Sequence, residues 1–202
     1  EIGGTPMLNK PPLHAWLIAL ASIPGGVVTQ RTAALPSAMG GLGVVLATAW
    51  LGARLFGRRI GWTAGFITVT TVGIFSLARS AVPDMTLTLA ITAAVGAFAL
   101  AELEQRRDAL AAFYAFTGLA FLAKGPAGLV PLAVALVYEL VEHGWRGPRR
   151  LLSVPGLIVL ALLIVPWPIL AFEAKGHHFV RDVLVSDMQW QYFGLRGWHW
   201  RR

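Results

Sequence analysis

Residues 82–108 read VPDMTLTLAITAAVGAFALAELEQRRD. No charged side chain stands between Asp84 and Glu102, and two arginines follow in a short polar turn. An apolar run near the ~20 residues needed to cross hydrocarbon, closed by a basic turn, is the pattern of a transmembrane helix that ends at a cytoplasmic face. The run is continuous rather than alternating, which argues against a strand of a β-barrel.

The pattern recurs along the chain. Apolar segments cover about 13–29, 33–56, 60–78, 85–101, 109–123, 126–142 and 152–172. Of the 202 residues, 56% are hydrophobic and 13% charged, and the mean hydropathy is +0.64. Soluble domains carry about 25% charged residues. The chain therefore reads as an all-α, polytopic integral membrane protein. Glycine and alanine are frequent inside the runs, as in GGLG at 40–43, which predicts close helix–helix packing in lipid. There is no cysteine, so disulfides and thiolate metal sites are excluded.

The net charge of +7 and a pI near 10.8 would suggest nucleic acid in a soluble protein. Here the arginines sit in short loops, at Arg58-Arg59, Arg106-Arg107 and Arg149-Arg150. That is the positive-inside bias, and it makes all three loops cytoplasmic. The loops at 79–84 and 124–126, and everything after 172, then face the other side. A full crossing by the first segment would leave Lys10 in the cytoplasm. Pro24-Gly25-Gly26 and the short length of this segment favour a juxtamembrane or re-entrant helix that keeps Lys10 outside. The expected bundle has about six spans plus that first helix, with 173–202 as an extracytoplasmic interfacial segment. The chain begins at Glu1 and closes on WHWRR, and it reads as one transmembrane domain of a longer protein, cut at both ends.

The ionisable residues near the apolar runs gather on the outer side. Lys10, Arg79, Asp84 and Lys124 each stand near a proline or glycine, where broken helix ends make functional sites. Singly, each also reads as a snorkelling anchor or turn residue. The lysines are compact cations suited to phosphate. Arg79 could hold phosphate with its planar fork or pair with Asp84. Asp84 could cap the helix it opens or serve the chemistry. Together they suit a lipid-linked phosphate whose tail lies among the helices.

Four stretches now resemble a known family: LNKPPLHAWLIAL (8–20), RTAALPSAMGGLGVVLATAWLGARLFGRR (31–59), LARSAVPDMTLTL (77–89) and GLAFLAKGPAGLVPL (118–132). In this order they are similar to the ArnT-like and protein O-mannosyltransferase superfamily, as is Pro166-Trp167 in the last run. The resemblance implies a GT-C-type helical bundle that transfers sugar from a polyprenyl (undecaprenyl) phosphate to an extracytoplasmic acceptor. The acceptor would be lipid A, a protein hydroxyl or a cell-wall glycan, and the setting the inner membrane of a bacterium or archaeon. It further implies that Lys10 contacts the carrier phosphate, with Lys124 and Asn9 as further substrate-binding residues. The resemblance also implies that Asp84 and Arg79 lie at the active site as catalytic residues. The family's catalytic aspartate lies upstream of KPPL, beyond the start of this chain. Aminoarabinose transferases tend to place a metal-holding glutamate where Asn9 stands, which counts against a divalent metal without removing it.

Two other classes remain open from the residues. A secondary transporter should show inverted repeats and midplane charges, and neither is evident here. A non-catalytic carrier-binding membrane protein shares every feature of this chain. Outside the motifs, His177-His178 read as solvated surface. Trp190, Tyr192, Phe193, Trp198 and Trp200 read as an interfacial aromatic belt or as sugar-stacking rings.

Overall fold

The computed structural model describes residues 11–175, all in helices, turns and short connections with no strand among them. Nine α-helices follow in order: α1 (Leu13–Ser22), α2 (Gln30–Phe56), α3 (Arg58–Thr70), α4 (Val72–Ala78), α5 (Asp84–Leu103), α6 (Ala109–Lys124), α7 (Val130–His143), α8 (Val154–Ile164) and α9 (Pro166–Lys175). Four stretches are long and apolar enough to cross a membrane, and the pair α3–α4 makes a fifth if counted as one span. Ala109–Leu151 is one of the four. It folds back on itself: Lys124 at its middle meets Asp84 at the start of α5, while Arg150 near its end meets Glu102 at the end of α5. α6 and α7 therefore run in opposite directions along the bundle.

Local sequence explains most boundaries. Thr29 and Thr32 form a reciprocal capping box that starts α2. Gly57 adopts φ +99° between α2 and α3, a reversal that an L side chain would resist. The run 60–78, read from sequence as one span, is broken instead at Thr71, with a bend of 61°. Its cause is a string of hydroxyls. Thr68, Thr70 and Thr71 donate back to the carbonyls of Ala64, Phe66 and Ile67, and such bonds bend helices. The last run is likewise divided at Val165, just before Pro166.

Small residues set the packing. Gly61 and Gly65 of α3 lie against Ala49 and Ala53 of α2, and Gly118 of α6 lies against Leu163 of α8. The GGLG stretch is an interface as expected: Gly40 faces Met85, Gly41 faces Ala78 and Gly43 faces Leu89. The core joins α5, α6 and α7. Phe98 packs on Phe113 and Tyr138 with ring centroids 5.7 and 5.5 Å apart, and the Tyr114 hydroxyl donates to the Leu151 carbonyl at 2.8 Å.

The bundle has two chemically distinct ends. At one, Arg54 pairs with Glu104 at 2.7 Å, and Arg150 bridges Glu102 at 3.1 Å and the His143 Nε2 at 2.6 Å. His143 Nδ1 in turn faces the fully buried Glu139 at 3.0 Å. Arg58, Arg59, Arg106, Arg107 and Arg149 all follow from this end, as the basic loops predict. The other end carries Asp84 and Lys124.

α1 does not cross. Ten residues at 1.5 Å each reach about half of a bilayer core. Both of its ends also meet the Asp84 end of the bundle: Pro11 lies beside Gly125, and Ser22 Oγ donates to Thr32 Oγ1 at 2.9 Å. The orientation gives a labelling prediction. In a chain without native cysteine, Arg58→Cys and Arg149→Cys should be shielded from an impermeant thiol reagent in intact cells, and Ala81→Cys should react. Labelling at position 58 would invert the topology.

Candidate active site

Asp84 and Lys124 are brought together by the α5–α6 hairpin. Proline punctuates the chain at Pro83, so α5 starts at Asp84, and the preceding turn is tied down where Ser37 Oγ donates to the Val82 carbonyl at 2.8 Å. α6 ends at Lys124 because Gly125 takes φ +66°. The lysine ammonium then reaches the Asp84 carboxylate at 2.5 Å. Both side chains are about one-third exposed, so the pair is open to a ligand from the outside.

Two sequence expectations are corrected here. Asp84 makes no capping hydrogen bond; Pro83 holds the cap position, and the carboxylate lies in the first turn, where the helix dipole favours it. Arg79 does not pair with Asp84. It closes α4 as an exposed residue, with its guanidinium 5.3 Å from the centroid of the Phe75 ring. The partner of Asp84 is Lys124. Lys10 and Asn9 lie outside the described residues, as do His177, His178 and the terminal aromatics. Among the described residues no group of three or more His, Asp or Glu is arranged to hold a metal ion.

His14 was missed from the sequence. It is buried under α1, with Nδ1 at 3.3 Å from Thr86 Oγ1 on α5. Burial holds its imidazole below the usual pKa, against the opposing pull of the Asp84 charge. The available signal was an ionisable residue inside an apolar run, four positions after Lys10. At Thr86, α1, α2 and α5 line a half-open cavity of about 410 Å³. Leu17, Leu20, Leu35, Met39 and Leu89 line it, and Thr86 supplies its polar contact.

A short apolar helix laid over the mouth of a bundle, beside an Asp–Lys pair, can now be compared with known proteins. The family model described as dolichyl-phosphate-mannose-protein mannosyltransferase matches residues 9–172. The chain belongs to this family. Among solved structures it is similar to ArnT from Cupriavidus metallidurans bound to undecaprenyl phosphate, with a TM-score of 0.82 and 25% identity over 92% of this chain and 35% of that one. The apo state of the same ArnT gives 0.78 and 26% over 88% and 34%. The chain thus spans about a third of the length of the ArnT chains it matches. No curated protein sequence matches it significantly. The family match covers the KPPL, R-x-x-x-PD and AKGP motifs at Lys10, Arg79–Asp84 and Lys124. The helical order and the bundle are those of an ArnT-like membrane protein.

Proposed function

We propose that the chain serves a multi-pass membrane glycosyltransferase of a bacterial or archaeal cell. The enzyme would move a sugar from a polyprenyl-phosphate carrier to a hydroxyl-bearing acceptor on the extracytoplasmic side. The observation that carries this reading is the convergence of Lys124, Asp84 and Pro11 at one end of the bundle, beside a cavity of apolar lining. A sister structure of ArnT contains undecaprenyl phosphate, a ligand with an anionic head and a long apolar tail. A cation at the start of α5 and an apolar cavity between α1, α2 and α5 answer those two chemistries separately.

In the transfer, the acceptor hydroxyl gives its proton to a general base, which the family resemblance makes an aspartate upstream of this chain; its oxygen bonds to the anomeric carbon and the carrier's phosphate oxygen leaves with the bonding electrons. Lys124 lies where it can meet that charge, and Asp84 holds its ammonium in place. The KPPL motif that the family match covers gives this reading a second cation for the headgroup, Lys10. Arg79 stands on the same loop as Asp84 and would meet the headgroup from the solvent side. α9 leaves the bundle toward this end, because Leu163 of α8 packs near the outer part of α6. That direction supports the reading of the segment after residue 172 as extracytoplasmic, though residues 176–202 lie outside the described residues.

The test is Lys10→Met in the full-length protein. A charge-assisted phosphate contact contributes about 1.5–3 kcal/mol, so the dissociation constant for undecaprenyl phosphate should rise at least roughly tenfold. Thermal stability should hardly change, since methionine keeps the apolar stem. Lys10→Arg should recover only part of the affinity, because a planar fork replaces a point charge. Undiminished binding by Lys10→Met would remove Lys10 from the carrier site.

A further inference from the structure

We propose that His14 donates a hydrogen bond from Nε2 to a phosphate oxygen of the carrier headgroup. The inference rests on the carrier-dependent reading above and adds a residue that no motif marks.

Thr86 on α5 is the partner that orients His14. Threonines inside helices commonly donate to the carbonyl four residues back. Thr88 and Thr92 on α5 do so, to Asp84 and Thr88, each at 2.8 Å. Thr86 does not. Its corresponding carbonyl, Val82, accepts from Ser37 instead. The hydroxyl of Thr86 has its contact at His14 Nδ1, 3.3 Å away. A hydroxyl carries one proton to give, and here the acceptor within reach is the lone pair of Nδ1. With Thr86 as the donor to Nδ1, the ring carries its proton on Nε2.

That Nε2–H is buried and has no hydrogen-bond partner. His14 is 8% exposed, so water does not readily replace the missing acceptor. A buried donor without a partner is costly, and such groups in folded proteins call for an explanation such as a ligand that completes the bond. The ring is kept neutral by its burial, so it acts as a donor of fixed direction and not as a second cation. Its surroundings identify the acceptor class. Asp84 is already engaged by Lys124. Thr86 both fixes His14 and forms the polar contact of the apolar cavity. His14 feels the charge of Asp84, and its partner Thr86 lines the apolar cavity, so a donor here fits the anionic head of a lipid whose tail enters that cavity.

The experiment uses the full-length protein in detergent with three variants, His14→Phe, His14→Gln and Thr86→Val. Thermal midpoints are measured without lipid, and affinities with undecaprenyl phosphate. His14→Phe removes the unpartnered donor, so its lipid-free midpoint should equal or exceed that of the wild type. Its dissociation constant for undecaprenyl phosphate should rise about fivefold to tenfold. His14→Gln, which keeps an N–H at similar reach, should recover part of that affinity. Undecaprenol, which lacks phosphate, should bind wild type and His14→Phe alike. If His14→Phe and Thr86→Val both lower the midpoint while binding stays at the wild-type level, His14 is a clasp for α1 and the proposal is overturned. A His14-dependent response to inorganic phosphate alone would assign the donor to a free anion and overturn the lipid assignment. Failure of the wild type to bind undecaprenyl phosphate at all would bring down the carrier reading together with this inference.

Discussion

Asp84→Asn in the full-length protein is expected to cut sugar transfer by about a hundredfold and leave the bundle folded. Asparagine has nearly the same shape and is well tolerated at helix starts. The lost ion pair is about one-third exposed, so solvent screening holds the stability loss to about 1 kcal/mol or less. The chemical loss is larger. Without the carboxylate, the Lys124 ammonium is no longer held at the end of α6, and its position is set by solvent. A hundredfold loss corresponds to about 2.7 kcal/mol of transition-state stabilisation. The readouts are kcat/KM and the thermal midpoint on the same preparation. Near-normal turnover would reduce the pair to a strut between α5 and α6.

The second large effect is structural. Gly128→Ala should sharply lower the yield of folded protein, although the change is a single methyl group. The turn Gly125–Leu129 packs back on α6, and a Cβ at Gly128 would collide with the main chain of Ala120 and Phe121. A flexible side chain can step aside, but helix backbone cannot. The cost should sit at the upper end of the about 1–3 kcal/mol seen for overpacked sites, or beyond it. Because this turn also sets the end of α6, the variant should lose the Lys124–Asp84 contact as well. Gly25→Ala has open space around it and serves as the control. Equal thermal midpoints for the two variants would contradict the packing described.

The membrane class, the grouping of basic loops at one end and the non-crossing first helix were all legible in the sequence. Each depends on run length and charge, which are local quantities. The break at Thr71 was hidden because hydropathy is the same on both sides of it, while the cause lies in hydroxyl bonds that hydropathy does not register. The partner of Asp84 was hidden for another reason. Arg79 is five positions away and Lys124 forty, and only the register of the α5–α6 hairpin decides between them. Short sequence distance made Arg79 and helix capping the visible options. His14 escaped because its importance lies in an absent partner, which only packing can reveal.

The buried Glu139 bears on how the chain enters the bilayer during synthesis. α7 emerges from the ribosome before Arg150 does, so at that moment Glu139 has His143 beside it but not the guanidinium that joins it to Glu102. An acidic side chain inserting without a cation is disfavoured, and two facing carboxylates more so. The α5–α6 hairpin, sealed by Phe98 and Phe113, can settle first. α7 can dock only once translation has delivered the segment Gly144–Leu151, whose arginine spans Glu102 and Glu139. The expected result is order-dependent insertion: a nascent chain stalled at His143 should remain beside the translocon, and one extended past Leu151 should be released into lipid.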